Sequence, residues 1–199
     1  MTSPSRKRMP RAERERQMVQ IAEEVFAERG YAAASMDDIA ERVGVSKPML
    51  YEYFGSKEGL LLACIAQARA GLRERTERAV VDAPNAEEAL RRGLQAFFVF
   101  VRERRRAWSV LRQEMSFPGG SAWAEFEATR RQQTDLIAKL MAAYFVSDSP
   151  LRVEADAEFV VGACERLAIW CEQHQEMTPE QVTGFAMDLL WKGLSGRAR

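Results

Sequence analysis

Residues 35–60, SMDDIAERVGVSKPMLYEYFGSKEGL, carry two short helical patterns that are separated by very little chain. Apolar residues recur at helical spacing, the pattern stops at Gly44, resumes, and stops again at Gly55. Ser35 and Ser46 precede the two patterns as candidate N-caps. Two short helices joined by a turn that contains glycine are typical of a helix-turn-helix, in which the second helix enters the DNA major groove.

The outward face of the second short helix is suited to DNA but does not require it. Leu50 and Phe54 are expected to anchor this helix in the core. The side chains then expected to face outward are Ser46, Lys47, Met49, Tyr51 and Tyr53. Hydroxyl and ammonium groups bind phosphate oxygens. Spacing alone leaves an ordinary helical hairpin with an exposed tyrosine pair equally open.

Helical periodicity extends over most of the chain. Apolar residues recur every three or four positions and alternating strand patterns are almost absent, so the sequence predicts an all-α fold. The predicted helices span 11–29, 36–43, 47–54, 108–115, 121–145, 154–174 and 179–194, with two more that begin after Ser56 and Asn85.

The composition argues against an enzyme, a metal site and a membrane protein. A single histidine removes the base or ligand that most hydrolytic and metal chemistry recruits. Three cysteines without a CxxC spacing indicate reduced thiols that serve packing. The apolar run AFFVFV is far shorter than the ~20 residues of a membrane helix, and the N-terminus lacks the apolar stretch of a signal peptide. We therefore expect a cytoplasmic protein with no cofactor, metal or catalytic residue.

The charge of the chain is zero overall but unevenly distributed. Residues 1–16 carry six basic and two acidic side chains, whereas residues 17–60 carry four basic and eight acidic ones. Cations that approach DNA phosphates are therefore expected from the tail at 1–11, where Pro4 and Pro10 disfavour an early helix. We expect this tail to be disordered when free and to lie along the duplex or in its minor groove when bound. A solubilising leader without a role in DNA binding is the alternative.

The order of elements along the chain closely resembles that of the tetracycline-repressor (TetR) family of transcriptional regulators. It consists of a first helix, the segment GYAAASMDDIAERVGVSKPMLYEYFGSKEGLL and a long variable helical region. The strong match covers residues 14–65. The resemblance implies a three-helix helix-turn-helix DNA-binding domain at 12–57, after the flexible basic tail. It also implies a helical ligand-binding and dimerisation bundle at 58–195.

The same resemblance implies which side chains contact DNA. Ser35, Tyr51, Tyr53 and Lys57 are expected to bind phosphates, and residues 46–51 are expected to lie in the major groove. The DNA-binding candidates are Ser35, Ser46, Lys47, Pro48, Met49, Tyr51, Tyr53 and Lys57. Met49 cannot donate a hydrogen bond, so its readout would be apolar, for example against a thymine methyl. Glu52 points either at a cytosine amine or at solvent.

The last two predicted helices carry wide apolar faces. The side chains concerned are Phe159, Ala163, Leu167, Trp170, Val182, Phe185, Ala186, Leu189 and Leu190. Such faces serve equally as plain core, but the resemblance implies that they pair with the same helices of a second copy. A homodimer with two-fold symmetry fits double-stranded operator DNA with palindromic half-sites.

The segment 87–145 is rich in Phe, Trp and Met, which is typical of a core and also of a pocket wall. Gln133 breaks an otherwise apolar helical line, and a buried amide needs a partner. That partner is either a bound small molecule or Arg130 on the adjacent ridge. The candidate ligand-binding residues are Phe97, Trp108, Met115, Phe126, Gln133 and Ile137.

The basic run RERRR at 102–106 has two readings: a nucleic-acid contact, or a solvated helix end that the helix dipole favours. Taken with the resemblance, the sequence predicts a non-catalytic repressor that a small apolar or amphipathic effector releases from its operator. Two alternatives stay open. One is a regulator of the same type that answers to a protein partner or to no ligand, and the other is an all-α small-molecule enzyme.

Overall fold

The computed structural model describes residues 10–114, 123–147 and 149–198, and these residues form nine α-helices and no β-strand. The predicted all-α fold class is therefore confirmed. The helices are α1 (Arg11–Ala33), α2 (Met36–Val43), α3 (Lys47–Phe54), α4 (Lys57–Val80), α5 (Ala86–Glu103), α6 (Arg105–Glu114), α7 (Trp123–Tyr144), α8 (Pro150–Gln173) and α9 (Pro179–Leu194). Within the described ranges, no helix combines the length and the apolar content that a bilayer crossing requires.

Most helix boundaries follow from local capping chemistry. The side chains of Ser35, Ser56 and Asn85 each accept a hydrogen bond from a backbone N–H three residues further along, at 3.1, 2.9 and 2.9 Å. Gly44 ends α2 in the left-handed conformation, with φ 79° and ψ 35°. These four positions were all predicted from the sequence.

Three predicted boundaries and one predicted cap need correction. The helix predicted from residue 108 begins at Arg105. Helical structure resumes after Gly30 and continues to Ala33, although Gly30 itself has a positive φ of 73° and interrupts the regular geometry. The helix predicted from residue 154 begins at Pro150, because proline fits the first helical turn, where no N–H is required. Ser46 precedes α3 in an extended conformation, but its side chain makes no capping hydrogen bond.

The N-terminal core, a cluster of buried side chains from α1 to α4, extends beyond the helix-turn-helix. Phe26, Ile39 and Leu50 are fully buried within it. Ala107, Trp108 and Val110 of α6 belong to the same cluster, as do side chains near the C-terminal ends of α5 and α8. The helices α1 to α3 therefore share an apolar core with α4 and with parts of α5, α6 and α8.

A second buried cluster joins α5, α7, α8 and α9. On α9, Val182, Ala186 and Leu190 point into this cluster. The predicted apolar faces of the last two helices are nevertheless not fully used, because Phe159, Phe185 and Leu189 are 70%, 49% and 79% exposed. Large exposed apolar side chains are typical of an interaction surface.

Candidate DNA-binding surface and ligand cavity

The α2–turn–α3 unit is held rigidly by short-range contacts. Ser35 Oγ donates to Asp38 Oδ2 at 2.7 Å while it accepts from the Asp38 N–H. The N–H of Gly44 donates to the carbonyls of Ala40 and Glu41 at 2.9 and 3.1 Å. Leu50 then anchors α3 in the core with no exposed surface. This geometry fixes which face of α3 is available to a ligand.

The N-terminal end of α3 offers polar groups to the outside. Ser46, Lys47 and Pro48 are exposed, and Tyr51 is 42% exposed. The free backbone N–H groups at the start of a helix add donors for an anion. Hydroxyl, ammonium and N–H donors gathered at one helix end suit the phosphate backbone of DNA.

Met49 and Tyr53 are only partly exposed on the face that the sequence predicted to be outward. Both are half-buried and pack against the N-terminal core. Arg14 of α1 reaches Met49, with Nη1 3.9 Å from the sulfur, and the Arg11 guanidinium lies 4.7 Å from the centre of the Tyr53 ring. The start of α1 therefore covers these two side chains, a long-range contact that the local pattern of α3 does not reveal.

Lys57 has a structural task. Its Nζ donates to the carbonyls of Tyr31 and Ala34, both at 2.9 Å, and lies 4.4 Å from the centre of the Tyr31 ring. The ammonium thus fastens the start of α4 to the connection between α1 and α2. An ammonium has three donors, so one remains for the phosphate contact that the sequence predicted.

The other three cations of segment 17–60 already have carboxylate partners. Arg29 binds Asp38 at 2.7 Å, Arg42 binds Glu28 at 2.7 Å and Lys47 binds Asp37 at 2.8 Å. A hydrogen bond from Ser35 and the Arg29 pair lower the pKa of Asp38, and Asp37 raises the pKa of Lys47. These pairs are exposed and hence weak, so phosphates can replace the carboxylates.

A cavity of about 290 Å³, here called the effector cavity, lies among α4 to α8. Its size is at the lower end of the range of roughly 300–1,000 Å³ for small-molecule sites. The apolar part of its wall is Leu72, Val80, Leu90, Leu94, Met141, Phe145 and Val160. Burial raises the pKa of the Cys164 thiol, which also lines it, to about 12. That thiol stays protonated and is no nucleophile.

Four of the six predicted ligand-binding residues line this cavity: Phe97, Trp108, Gln133 and Ile137. Gln133 and Trp108 are buried, and the Trp108 Nε1 has no hydrogen-bond partner among the described residues. Met115 and the side chains of Phe126 and Arg130 lie outside what the structure describes.

The sequence reasoning missed two charged residues of the effector cavity, Arg69 and Glu165. Arg69 is almost fully buried and stands in the apolar line of α4 between Ile65 and Leu72. A polar residue inside an apolar helical line was the signal that singled out Gln133, and the same signal marks Arg69. The cavity therefore combines an apolar wall with a few polar groups, the usual composition of a small-molecule site.

Family models match both halves of the chain. Residues 19–64 match the model described as "Bacterial regulatory proteins, tetR family". Residues 86–193 match the one described as "Tetracyclin repressor-like, C-terminal domain".

Individual relatives agree with this assignment. The chain is 29% identical to the HTH-type transcriptional activator FasR of Mycolicibacterium smegmatis, over 94% of this chain and 86% of FasR. A TetR-like transcriptional regulator from Rhodococcus sp. RHA1 is 33% identical and superimposes with a TM-score of 0.73, over 96% of this chain and 100% of that one. FadR from Bacillus subtilis, solved with stearoyl-CoA, has the same fold, with a TM-score of 0.79 over 90% of this chain and 98% of that one at 19% identity.

Proposed function

The chain belongs to the tetR family of bacterial regulatory proteins and is a DNA-binding transcriptional regulator, and we propose that it is a repressor released from its operator by an amphipathic effector bound in the effector cavity. The family and its relatives are transcriptional regulators, not enzymes, which sets the all-α enzyme aside. The observation that carries the proposal is that the cavity-lining helices α4 and α6 also build the core of the helix-turn-helix domain formed by α1 to α3.

The proposed DNA contacts differ in how far each side chain is exposed. Lys47, Pro48 and Tyr51 reach the groove directly, because they are exposed at the N-terminal half of α3. Ser35 and Ser46 flank α2 and α3 and supply hydroxyls for phosphates. Met49, Tyr53 and Lys57 contact DNA with the part of each side chain that the core leaves free. Residues 12–57 form the reading domain in this proposal, and residues 58–195 form the regulatory domain.

A homodimer is the proposed binding species. Phe159 of α8 and Phe185 and Leu189 of α9 expose large apolar surfaces, which a second copy of the same two helices would cover. An isologous contact of this kind relates the two reading domains by a two-fold axis. Dimeric helix-turn-helix proteins place their recognition helices about 34 Å apart, which suits a palindromic operator.

An effector with an acyl chain fits the effector cavity. Its apolar wall would take the chain, and Arg69, Gln133 and the Trp108 Nε1 donor would take a polar head. The stearoyl-CoA complex of FadR shows that this fold holds such a ligand in that protein. A regulator that answers to a protein partner or to no ligand remains the alternative, and the name of FasR raises activation as the other possible outcome.

The proposed switch is mechanical. Arg69, Leu72 and Thr76 of α4 line the effector cavity, while Leu60 and Leu61 at the start of α4 pack in the core of the reading domain. A ligand that displaces α4 would therefore tilt α3 against its partner in the dimer. A coupling free energy of about 1–3 kcal/mol suffices for a useful response.

Four measurements test the proposal. Sequencing of genomic fragments retained by the protein should reveal a palindromic site, and native mass spectrometry should show a dimer on that site. Acyl-chain compounds should dissociate the complex, and a reporter driven by the site should then rise. Binding as a monomer to a site without two-fold symmetry would contradict the dimer. A reporter that falls when the protein is released would identify an activator.

A further inference from the structure

A second cavity, of about 370 Å³, lies where the C-terminal part of α1 meets the start of α6 and the facing parts of α5, α8 and α9. We call it the junction cavity, because its wall combines Ala27 and Glu28 of the reading domain with side chains of the regulatory domain. Trp108 lines both this cavity and the effector cavity. The two cavities are therefore neighbours that share one indole wall.

The floor of the junction cavity is apolar. Phe98, Val101, Trp108 and Val182 line it and are all buried. Such a floor favours a flat or apolar part of a ligand over water.

The rest of the junction cavity wall carries positive charge, which comes from the RERRR run at 102–106. Arg102, Arg105 and Arg106 all line the cavity and are exposed. Arg106 is committed to Glu24 at 2.6 Å. Within the described part of the chain, Arg102 and Arg105 make no hydrogen bond or salt bridge. The charge of Arg102 contributes to lowering the pKa of Glu180, but the two side chains form no ion pair.

Two carboxylates also line the junction cavity. Glu28 is held by Arg42 at 2.7 Å, and Glu172 already takes part in an interaction of its own. Two uncommitted guanidinium groups therefore remain at the mouth of a cavity with an apolar floor. Guanidinium binds phosphate through paired, charge-assisted hydrogen bonds, which makes it the side chain best suited to that group.

We propose that the junction cavity binds a phosphate-bearing ligand, with the phosphates on Arg102 and Arg105 and an apolar or ring portion on Phe98 and Trp108. The ligand has two sources: a free nucleotide-like metabolite, or the coenzyme A portion of an acyl-CoA whose chain occupies the effector cavity. The second source rests on the proposed function. In both, the ligand touches α1 and α6 together and so acts on the contact between the two domains.

Calorimetric titration of the full-length protein tests this site with five probes: ADP, coenzyme A, inorganic pyrophosphate, lauroyl-CoA and laurate. The test variant is Arg102→Gln with Arg105→Gln. The control is Arg91→Gln with Arg92→Gln, which removes the same amount of charge from α5, the helix that carries Arg102, at residues paired with Glu87 and Glu88.

The site predicts that phosphate-bearing probes lose about tenfold or more in affinity in the test variant and keep it in the control, while laurate binds all three proteins equally. Binding of ADP or coenzyme A alone identifies the free-nucleotide source. A loss confined to lauroyl-CoA identifies the head-group source.

Three results would overturn the proposal. The first is that ADP, coenzyme A and pyrophosphate do not bind and lauroyl-CoA binds no better than laurate, and the second is that the test variant binds the phosphate-bearing probes as tightly as the wild type. The third is loss of DNA affinity by the test variant without any ligand, which would assign the arginines to DNA. Failure of laurate and lauroyl-CoA to bind would count against the acyl effector alone, because ADP and coenzyme A still decide the phosphate site.

Discussion

Arg106 of α6 and Glu24 of α1 form an ion pair, with Nη1 and Oε1 2.6 Å apart. The pair joins the helix that brings Trp108 to the effector cavity with the first helix of the reading domain. Beside it, Trp108 and Phe26 belong to the same buried cluster. A ligand that moves α6 therefore has a direct route to α1, in addition to the route through α4.

Breaking this pair should weaken the response to the effector more than it weakens folding. Arg106→Gln and Glu24→Gln should each reduce the change in operator affinity that an effector causes, and the double variant should be no worse than either single one. The free energy of unfolding should fall by only about 0–1 kcal/mol, because both side chains are partly exposed.

Operator titrations with and without lauroyl-CoA measure this coupling, and Arg91→Gln is the matched control on α5. Single variants whose effects add in full would show that Arg106 and Glu24 act independently and that the pair is not the route.

Glu23, the neighbour of Glu24, gives a prediction about pH. Burial raises the pKa of Glu23 above 4.5, although Arg104 and Arg106 oppose the shift. A carboxyl group with a higher pKa in the folded state opposes folding when ionised, and this cost disappears as the pH falls below its unfolded pKa of 4.5. Glu23→Gln should therefore raise the melting temperature at neutral pH, and the gain should shrink toward pH 4.5.

Thermal melts over a pH series check this, with the exposed Glu15→Gln as the control on the same helix. A lower melting temperature of Glu23→Gln at neutral pH would show that the ionised carboxylate is a net stabilising partner of the two arginines.

Local signals made much of this fold predictable. Ser35, Gly44, Ser56 and Asn85 act on residues three or four positions away, so the sequence alone locates their helix ends. Contacts between distant parts of the chain were not predictable. Lys57 binds the carbonyl of Tyr31, 26 residues earlier, and nothing in the local pattern of either residue indicates it.

The candidate sites divide in the same way. Gln133 was found because a polar residue in an apolar helical line is visible in the sequence, and Arg69 carries the same mark. The junction cavity was not predicted, since Arg102 and Arg105 resemble any solvated helix end until α1, α8 and α9 are seen to enclose the apolar floor beside them.

Substitutions of Tyr51 and Lys57 should distinguish a side chain that only contacts DNA from one that also stabilises the fold. Tyr51→Phe should weaken binding to operator and unrelated DNA by the same factor and leave the melting temperature unchanged, because its hydroxyl positions the protein without reading bases. Lys57→Ala should lower both DNA affinity and the melting temperature, because it also releases the carbonyls of Tyr31 and Ala34.

Fluorescence anisotropy with the two DNAs and a thermal melt of each variant provide the comparison. If Tyr51→Phe binds both DNAs as the wild type does, the placement of α3 in the groove is wrong.

The basic tail should contribute to DNA binding through salt-dependent attraction. Residues 1–9 of the predicted tail at 1–11 lie outside the described residues, and α1 begins at Arg11. Deletion of 1–9 therefore removes Arg6, Lys7 and Arg8 without shortening the helix. Each phosphate neutralised contributes about 0.9 to the slope of log affinity against log salt, so the slope should flatten by at most ~2.7.

Operator titrations at several salt concentrations compare the full-length and shortened proteins. Superimposable lines would leave the tail as a solubilising leader.

The central claim is that a ligand in the effector cavity controls operator affinity, and a cavity-filling variant tests it most directly. A Cβ at Gly93, on the cavity wall, would lie 3.7 Å from Val80 Cγ1, an ordinary contact, so Gly93→Leu should fit and fill the cavity. Gly71→Leu is the control, because Gly71 lies on α4 with open space around it.

The measurement is operator affinity by fluorescence anisotropy, with and without lauroyl-CoA and stearoyl-CoA. We expect the acyl-CoA to lower the affinity of the wild type and of Gly71→Leu by roughly 5–150-fold, and to leave Gly93→Leu bound. Operator affinity that is the same with and without both acyl-CoA esters in the wild type, or that falls equally in Gly93→Leu, would contradict the claim.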